Sequence, residues 1–395
     1  MTFTLPRRFI DSEEIALVLA FGTLSVLEAC SVLKGSVVRE EIPCKRVSIL
    51  TIRRPGQERI LELAGVHKVA PLMAVINGAS PAMAKLVGNV SEHLHDKVTL
   101  SVSGYEVDED DYETIVRALL DEVKRAGFDK AHLLRPSNNE LLAEQVQSRS
   151  ALDIIAFPYH GGIGLGPTTW VPHSASMRDR GTQKPIPHSD ISMSPRLARV
   201  LLNLSGLLKG QTVLDPFCGS GTILAEAFIH SMRCLGLDSK TNRVRDAREN
   251  LRWLVGSGSG KDRGYDIRVG DARELSRMLR GSKVDAVVTE PLLLPRIEAR
   301  PKTSTAAGLI DRAAEVYADA LASMAEVLQP GGRIVLAVPV ILTMEGKEVS
   351  LTLEGRRLGL RLFQPGPVGF QYPIRLSFES TRWVRRAVYV FESRS

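Results

Sequence analysis

The chain has 395 residues, 44% of them hydrophobic and 24% charged, which suits two or three folded domains and excludes a disordered polymer. Its formal charge of +6 and pI near 9.2 permit a nucleic-acid partner without requiring one. No apolar stretch approaches the length of a membrane span and no basic segment leads into a cleavage site, so a cytosolic (cytoplasmic) protein without a membrane partner is expected.

Residues 15–21 form an apolar run that predicts a buried strand, Gly22-Thr23 breaks it, and Leu24, Leu27 and Cys30 mark the inner stripe of a helix. Val47 to Thr51 has the β-branched content of a strand and Gln57 to Leu63 is expected to be helical, so roughly the first 75 residues form a small α/β unit. A second small unit follows. It has a helix near 81–94, a strand at 98–103, and an amphipathic helix with Ile115, Val116, Leu119, Leu120 and Val123 on one face. A strand at 152–157 and the glycine-rich run 161–166 close it. The four cysteines, Cys30, Cys44, Cys218 and Cys234, contain no Cys-x-x-Cys pair, and His93 with His95 has no second cluster, so neither a disulfide framework nor a metal site is expected.

Residues 169–192, rich in Pro, His, Ser and charge, read as a connector without regular structure. Ser194 can then cap a helix that has Pro195 in its first turn. The stretch 211–227 reads as strand, loop and helix: Val213 and Leu214 lead to Asp215, then Pro-Phe-Cys-Gly-Ser-Gly, then Ile223, Leu224 and Ala227 at helical spacing. Gly219 and Gly221 allow positive φ and close approach of a ligand. No Lys-Ser/Thr follows them and their spacing is not G-x-G-x-x-G, so neither a Walker loop nor a dinucleotide fingerprint is present.

Cys234 to Asp238 reads as a strand ending in an acid that can accept from both hydroxyls of a ribose. Ile267 to Arg273 is the next strand and turn; there Asp271 can accept from an adenine amino group and the Ala272 backbone can meet a ring nitrogen. Any one of these acids can equally be a helix cap. Val284 to Thr289 is a further strand, followed by Glu290-Pro-Leu-Leu. A helix marked by Val316, Tyr317, Ala320, Leu321, Met324, Val327 and Leu328 stops at Pro330-Gly-Gly. Strands at 333–338 and 383–392 complete the sheet. Residues 355–395 hold eight arginines and two acids, which favours a phosphate-facing edge or a solvated rim.

Asp215-Pro-Phe-Cys-Gly-Ser-Gly221 resembles the first motif of class I S-adenosylmethionine-dependent methyltransferases, in the version of the group that methylates exocyclic amines of RNA and DNA bases. Met177-Arg-Asp-Arg-Gly181, Lys184-Pro185 and the Pro-Arg-Leu-Ala-Arg run from 195 resemble the lead-in of the Trm-eleven-like family of tRNA guanosine-N2 methyltransferases. The resemblance implies an α/β protein: a ferredoxin-like unit at 1–77, a THUMP-like RNA-binding unit at 78–168, a linker at 169–192, and a Rossmann-like class I methyltransferase domain at 193–395.

It implies S-adenosyl-L-methionine held by Ser194, Asp215, Phe217, Gly219, Gly221, Asp238, Asp271 and Ala272. It implies tRNA as partner, met by Arg178, Asp179 and Leu293, with Glu290 and Pro291 catalytic. A small activating protein subunit is left open. The chain departs from the pattern at 290–293, where the group usually has Asp or Asn, two prolines and an aromatic residue. Glu290 and the Pro291 carbonyl can still accept amino hydrogens, but Leu293 lacks the π-face whose stacking is worth ~1–3 kcal/mol per base. Two alternatives stay open: a non-catalytic RNA-binding homologue, and an amine methyltransferase acting on DNA or protein.

Overall fold

The apolar run near the start forms β1 (Glu14–Leu19), and the break at Gly22 opens α1 (Thr23–Val32). β2 (Val37–Cys44), β3 (Val47–Ile52) and β4 (Val66–Pro71) follow, and the strands pair antiparallel in the order β2-β3-β1-β4. This is a computed structural model that describes residues 13–33, 35–53, 56–77, 81–91, 94, 98–149, 151–172, 174–187, 193–255, 264–291, 294–365, 369–376 and 383–394. His93, His95 and Leu293 lie outside the described residues. The helix expected from Gln57 is a 3-10 helix, Gly56–Glu62. Past its end the backbone is pinned by the buried Glu28 of α1, whose carboxylate accepts from Ala64 N (2.9 Å) and Gly65 N (2.7 Å). A Cβ at position 65 would stand 2.5 Å from that carboxylate, which is why a glycine is there.

A second sheet has the order β5-β9-β8-β6-β7, built from β5 (Ala74–Ile76), β6 (Thr99–Gly104), β7 (His132–Leu133), β8 (Leu152–Tyr159) and β9 (Gly162–Pro167). The helices α2 (Pro81–Ser91), α3 (Glu109–Arg125) and α4 (Ala143–Arg149) accompany it. α3 begins where the Asp108 side chain accepts from Asp111 N, carries three acids in its first turn and two bases in its last, and buries Tyr112, Ile115, Val116, Leu119 and Val123. The glycine run is strand β9 itself. A Cβ at Gly164 would meet the Phe157 ring at 2.8 Å and one at Gly166 the Pro71 carbonyl at 2.1 Å, so only glycine lets the strand pass so close.

Strand β5, expected in the first unit, pairs with β9 of the second sheet. Residues of both sheets, among them Ala16, Val18, Ile49, Ile155, Phe157 and Tyr159, share one buried cluster. A fully buried polar knot crosses the same junction. Lys68 of β4 donates to Asp153 of β8 and to Ser103 of β6, both at 2.7 Å, and Thr168 Oγ1 donates to Asp153 at 2.8 Å.

A second unit begins at Ser176. The stretch expected to be irregular contains α5 (Ser174–Thr182), a correction to the sequence reading. The helix has no apolar stripe to betray it, and Arg180 is one side chain that ties it down. After α6 (Pro195–Ser205) come β10 (Thr212–Asp215), α7 (Thr222–Ile229), β11 (Arg233–Asp238), α8 (Thr241–Val255), β12 (Tyr265–Val269), α9 (Leu275–Met278) and β13 (Val284–Thr289). Then come α10 (Thr303–Val327), β14 (Leu328–Leu342), the short strands β15 (Glu348–Ser350), β16 (Leu360–Leu362) and β17 (Ile374–Arg375), and β18 (Val384–Ser393). The main sheet runs β12-β11-β10-β13-β14-β18-β16; its first five strands are parallel and β18 is antiparallel to β14.

Two boundaries differ from expectation. α10 begins thirteen residues before Val316, because its first half buries mostly small residues, Ala306, Ile310 and Ala313, which give a weak periodic signal. β14 starts at Leu328, so Pro330-Gly-Gly lies inside a strand whose register with β13 shifts at that point.

Replacing Lys68 by Met leaves the Asp153 carboxylate buried without its cation, and should destabilise the first unit by about 3–5 kcal/mol. The double replacement Lys68→Met, Asp153→Leu should recover much of that loss. Urea titration of the full chain by near-ultraviolet dichroism measures it; a midpoint unchanged in Lys68→Met would show that the pair contributes nothing.

Candidate active site

In a parallel sheet a ligand crevice opens where strand order reverses, because successive crossovers leave to opposite faces. Here the reversal falls at β10, flanked by β11 and β13. Each of these three strands ends at or beside a carboxylate: Asp215, Asp238 and Glu290.

Asp215 is 2% exposed. Its Oδ1 accepts from Thr289 Oγ1 (2.6 Å) at the end of β13 and from Phe217 N (3.2 Å) in the glycine loop. Burial pushes its carboxyl up to about 7; the Thr289 and Phe217 donors pull it down, and the charges of Asp238 and Glu290 raise it further. The structure thus places Asp215 beneath the loop as its tie to β13. Phe217 is half-buried and packs on the main core cluster of the second unit.

Gly219 (φ 51°) and Gly221 (φ 85°) are both left-handed. A Cβ at Gly219 would meet nothing closer than the Phe217 carbonyl at 4.0 Å, so the loop is open to a ligand there. At Gly221 a Cβ would press on Leu251 at 3.0 Å and Ala247 at 3.2 Å, so this glycine lets α8 approach. Asp238 is half-buried; its carboxylate accepts from Gly219 N (3.0 Å) and Lys240 N (2.9 Å), which ties the glycine loop to the end of β11. Carboxylate oxygens have about four lone-pair sites, so these two bonds leave acceptors for a diol.

Asp271 accepts from Arg273 N (2.9 Å) and forms a two-pronged pair with the Arg273 side chain, which holds its carboxyl below the usual range. Ala272 is buried and opens the short turn that follows. Ser194 caps α6 as expected, accepting from Leu197 N at 3.2 Å, and is exposed.

Glu290 and Pro291 end β13. Arg386 of β18 donates through Nε to Glu290 Oε1, and the Tyr317 hydroxyl of α10 donates to the Pro291 carbonyl. Burial, with the Glu290 charge, pushes the Tyr317 phenol well up, so it stays a donor. Arg178 and Asp179 lie exposed on α5. From the same helix Arg180 reaches the glycine-loop elements and holds the buried Glu226 of α7 by two bonds, 2.7 and 2.9 Å.

Lys184 donates to Thr222 Oγ1 at 3.2 Å, and Asn250 of α8 ties Ser220 O to both backbone groups of Ile186. Sequence reasoning missed Arg180, Asn250 and Arg386, and saw Tyr317 only as a core residue. Their partners are 26 to 96 residues away, beyond any local spacing.

Among the described residues no group of three or more His, Cys, Asp or Glu could hold a metal, all four cysteines are buried free thiols, and no helix is long and apolar enough to cross a membrane. Several C-terminal arginines are engaged in ion pairs, Arg361 with Glu392 and Arg375 with Glu348, while Arg356 and Arg357 are exposed.

Residues 188–347 match the family of RMKL-like methyltransferase domains. The chain is 36% identical over 154 residues to the tRNA (guanine(10)-N2)-dimethyltransferase of Methanothermobacter thermautotrophicus, a match covering 39% of this chain and 40% of the relative. It is 32% identical over 149 residues to the enzyme of the same name from Pyrococcus abyssi, covering 38% and 39%. To the tRNA (guanine(10)-N(2))-methyltransferase TRMT11 of Rattus norvegicus it is 25% identical over 177 residues, covering 38% of each. The chain thus spans about two-fifths of the length of these curated relatives.

Two solved structures share its fold nearly end to end. TrmN from Thermus thermophilus has a TM-score of 0.52 and 19% identity over 96% of this chain and 99% of that one. A possible methylase from Clostridium difficile 630 has 0.50 and 15% over 97% and 98%. The expected Rossmann-like class I methyltransferase fold is therefore the fold of the second unit.

The Asp215 carboxyl titrates near 7 in the folded chain and near ~4 when unfolded. Between those values the folded state holds a proton that the unfolded chain has lost, so stability falls as pH rises through the window, by on the order of 1 kcal/mol per unit. Asp215→Asn removes this titration while keeping an acceptor for Thr289. Its urea midpoint should vary less with pH between about 4 and 7 than the parent's; equal slopes would refute the assignment.

Proposed function

We propose that the methyltransferase domain of this chain transfers a methyl group to the exocyclic N2 of a guanosine in tRNA. The observation that carries this reading is the pairing, at one switch-point crevice, of an open glycine loop beside Asp238 with two convergent acceptors, Glu290 and the Pro291 carbonyl, at the end of β13. The names of the relatives support the choice of base and of RNA.

The residues present fit S-adenosyl-L-methionine: room above Gly219, half-buried Asp238 for the ribose hydroxyls, and Asp271 with the Ala272 backbone for the adenine edge. When bound, the cofactor supplies an electrophilic methyl carbon on a sulfonium. Ser194 at the start of α6 faces the methionine end in this reading, and Phe217 walls the loop.

Glu290 and Pro291 accept the hydrogens of the amino group and draw its lone pair out of conjugation, so that positioning supplies most of the catalysis. Once N2 has been methylated it would carry a surplus proton, which Glu290 beside it would take up or pass to water. The base leaves its stack to reach this crevice, at a cost of a few kcal/mol. Exposed cations of the second unit, Arg178, Arg356 and Arg357 among them, meet RNA phosphates in this reading, so binding weakens as salt rises. A second reading, a non-catalytic RNA-binding homologue, draws on the engagement of both acceptors by Arg386 and Tyr317.

Two variants of the full chain test the reading. Asp238→Ala should weaken cofactor affinity in calorimetry by roughly tenfold or more, since burying unpaired hydroxyls costs ~1–3 kcal/mol. Glu290→Ala should abolish most transfer of labelled methyl to tRNA while cofactor affinity stays. A parent protein that methylates no tRNA would favour the non-catalytic reading.

A further inference from the structure

The acceptors at the end of β13 are each held by a donor that lies outside the motif. Arg386 and Glu290 are 14% and 10% exposed, and Tyr317, 2% exposed, backs the Pro291 carbonyl. We propose that Glu290, kept charged and oriented by Arg386, accepts the N1–H of guanine together with one N2 hydrogen, and thereby selects guanine against bases with a lone pair beside their amino group. This rests on the proposed transfer to guanine N2 and adds what chooses the base.

The chemistry runs as follows. The edge of guanine presents N1–H beside the two N2 hydrogens, three donors in a row. An ionised carboxylate only accepts, and its two oxygens match a pair of parallel N–H groups as they match a guanidinium fork. The second N2 hydrogen falls to the Pro291 carbonyl, so every donor on the edge is satisfied. Adenine and cytosine place a ring lone pair next to the amine, and that lone pair would face a carboxylate oxygen. Glutamate has one more methylene than aspartate, which extends its reach from the amino group toward N1.

The charge on Glu290 has to be maintained against its surroundings. Asp215 on β10 and Asp238 on β11 are acids in the same crevice, coupled electrostatically to each other, and Glu290 acts on Asp215 and on Tyr317 of α10. Burial among like charges favours a protonated carboxyl, which would turn one oxygen into a donor. Arg386 is a cation that opposes this, and its bond from Nε to Oε1 holds that carboxylate oxygen in place. Arg386 is thus a positioning residue and Glu290 the group that touches the base.

The test uses the full chain and a tRNA transcript in which the methylated guanosine has been mapped. Replacing that guanosine by 2-aminopurine riboside keeps the N2 amine, exchanges N1–H for a lone pair and removes the 6-oxo group, so the comparison with Glu290→Gln isolates the N1 contact. The parent should lose about a hundredfold or more in kcat/KM, because a buried polar group is left facing the wrong partner. In Glu290→Gln the amide can donate to that lone pair, and the preference should narrow to within about tenfold. Arg386→Met should lower kcat with KM for the cofactor unchanged, and Arg386→Lys should restore part of it. If the parent methylates 2-aminopurine within about threefold of guanine, the inference is overturned while transfer to guanine stands; absence of transfer to any guanosine overturns both.

Discussion

The hydrogen bond from Thr289 to the buried Asp215 carboxylate is the constraint on which the crevice depends. Backbone pairing joins β10 to β13 only through Val213 with Ala286 and Leu214 with Val287, so beyond that point nothing in the ladder holds the strand ends together. The side-chain bond takes over where the ladder stops. It fixes where the glycine loop leaves β10 relative to where Glu290 leaves β13. Under the proposed transfer, a methyl donor held by the one and an amine held by the other have to meet in line, which makes this short bond a geometric reference for the site.

The same logic explains why acids cluster at the strand ends. Loops leaving a parallel sheet expose backbone N–H groups that need acceptors. Asp215 takes Phe217 N, Asp238 takes Gly219 N and Lys240 N, and Asp271 takes Arg273 N. Each carboxylate therefore shapes its loop before any ligand arrives, and a ligand uses the remaining lone pairs. The cost is chiefly burial, which raises the Asp215 carboxyl; the Thr289 and Phe217 donors pull it down, and the charges of Asp238 and Glu290 add a smaller rise.

Much of this was legible in the sequence, because β10, β11 and β13 are mainly apolar runs that end at or beside an acid, while the mixed strand β12 runs into Gly270-Asp271, and each such ending is a local signal. The rest depended on contacts between distant residues. Tyr317 reads as one more apolar position of α10 until its hydroxyl is seen against Pro291. Arg386 is one of eight C-terminal arginines and nothing local distinguishes it. The first half of α10 was hidden by its alanines, α5 by its lack of an apolar face, and β15, β16 and β17 by lengths of two or three residues. In the first unit, Lys68 and Asp153 look like surface charges; only the packing of the two sheets buries them together.

The origin of Arg386 on the last strand has a consequence for the life of the chain. Glu290 is separated from it by 96 positions, and β18 reaches its place by pairing antiparallel with β14 over nine register positions, Arg386 lying opposite Pro339. Gly219 and Lys240 reach Asp238 from 19 and 2 positions away, so that tie can form early on a chain still being made, whereas Thr289 reaches Asp215 across 74 positions and Arg386 reaches Glu290 across 96. A chain emerging from the ribosome therefore acquires its strand ends in order: the glycine-loop tie first, the Asp215 tie once β13 is in place, and the Glu290–Arg386 pair only after β18 has zipped onto β14.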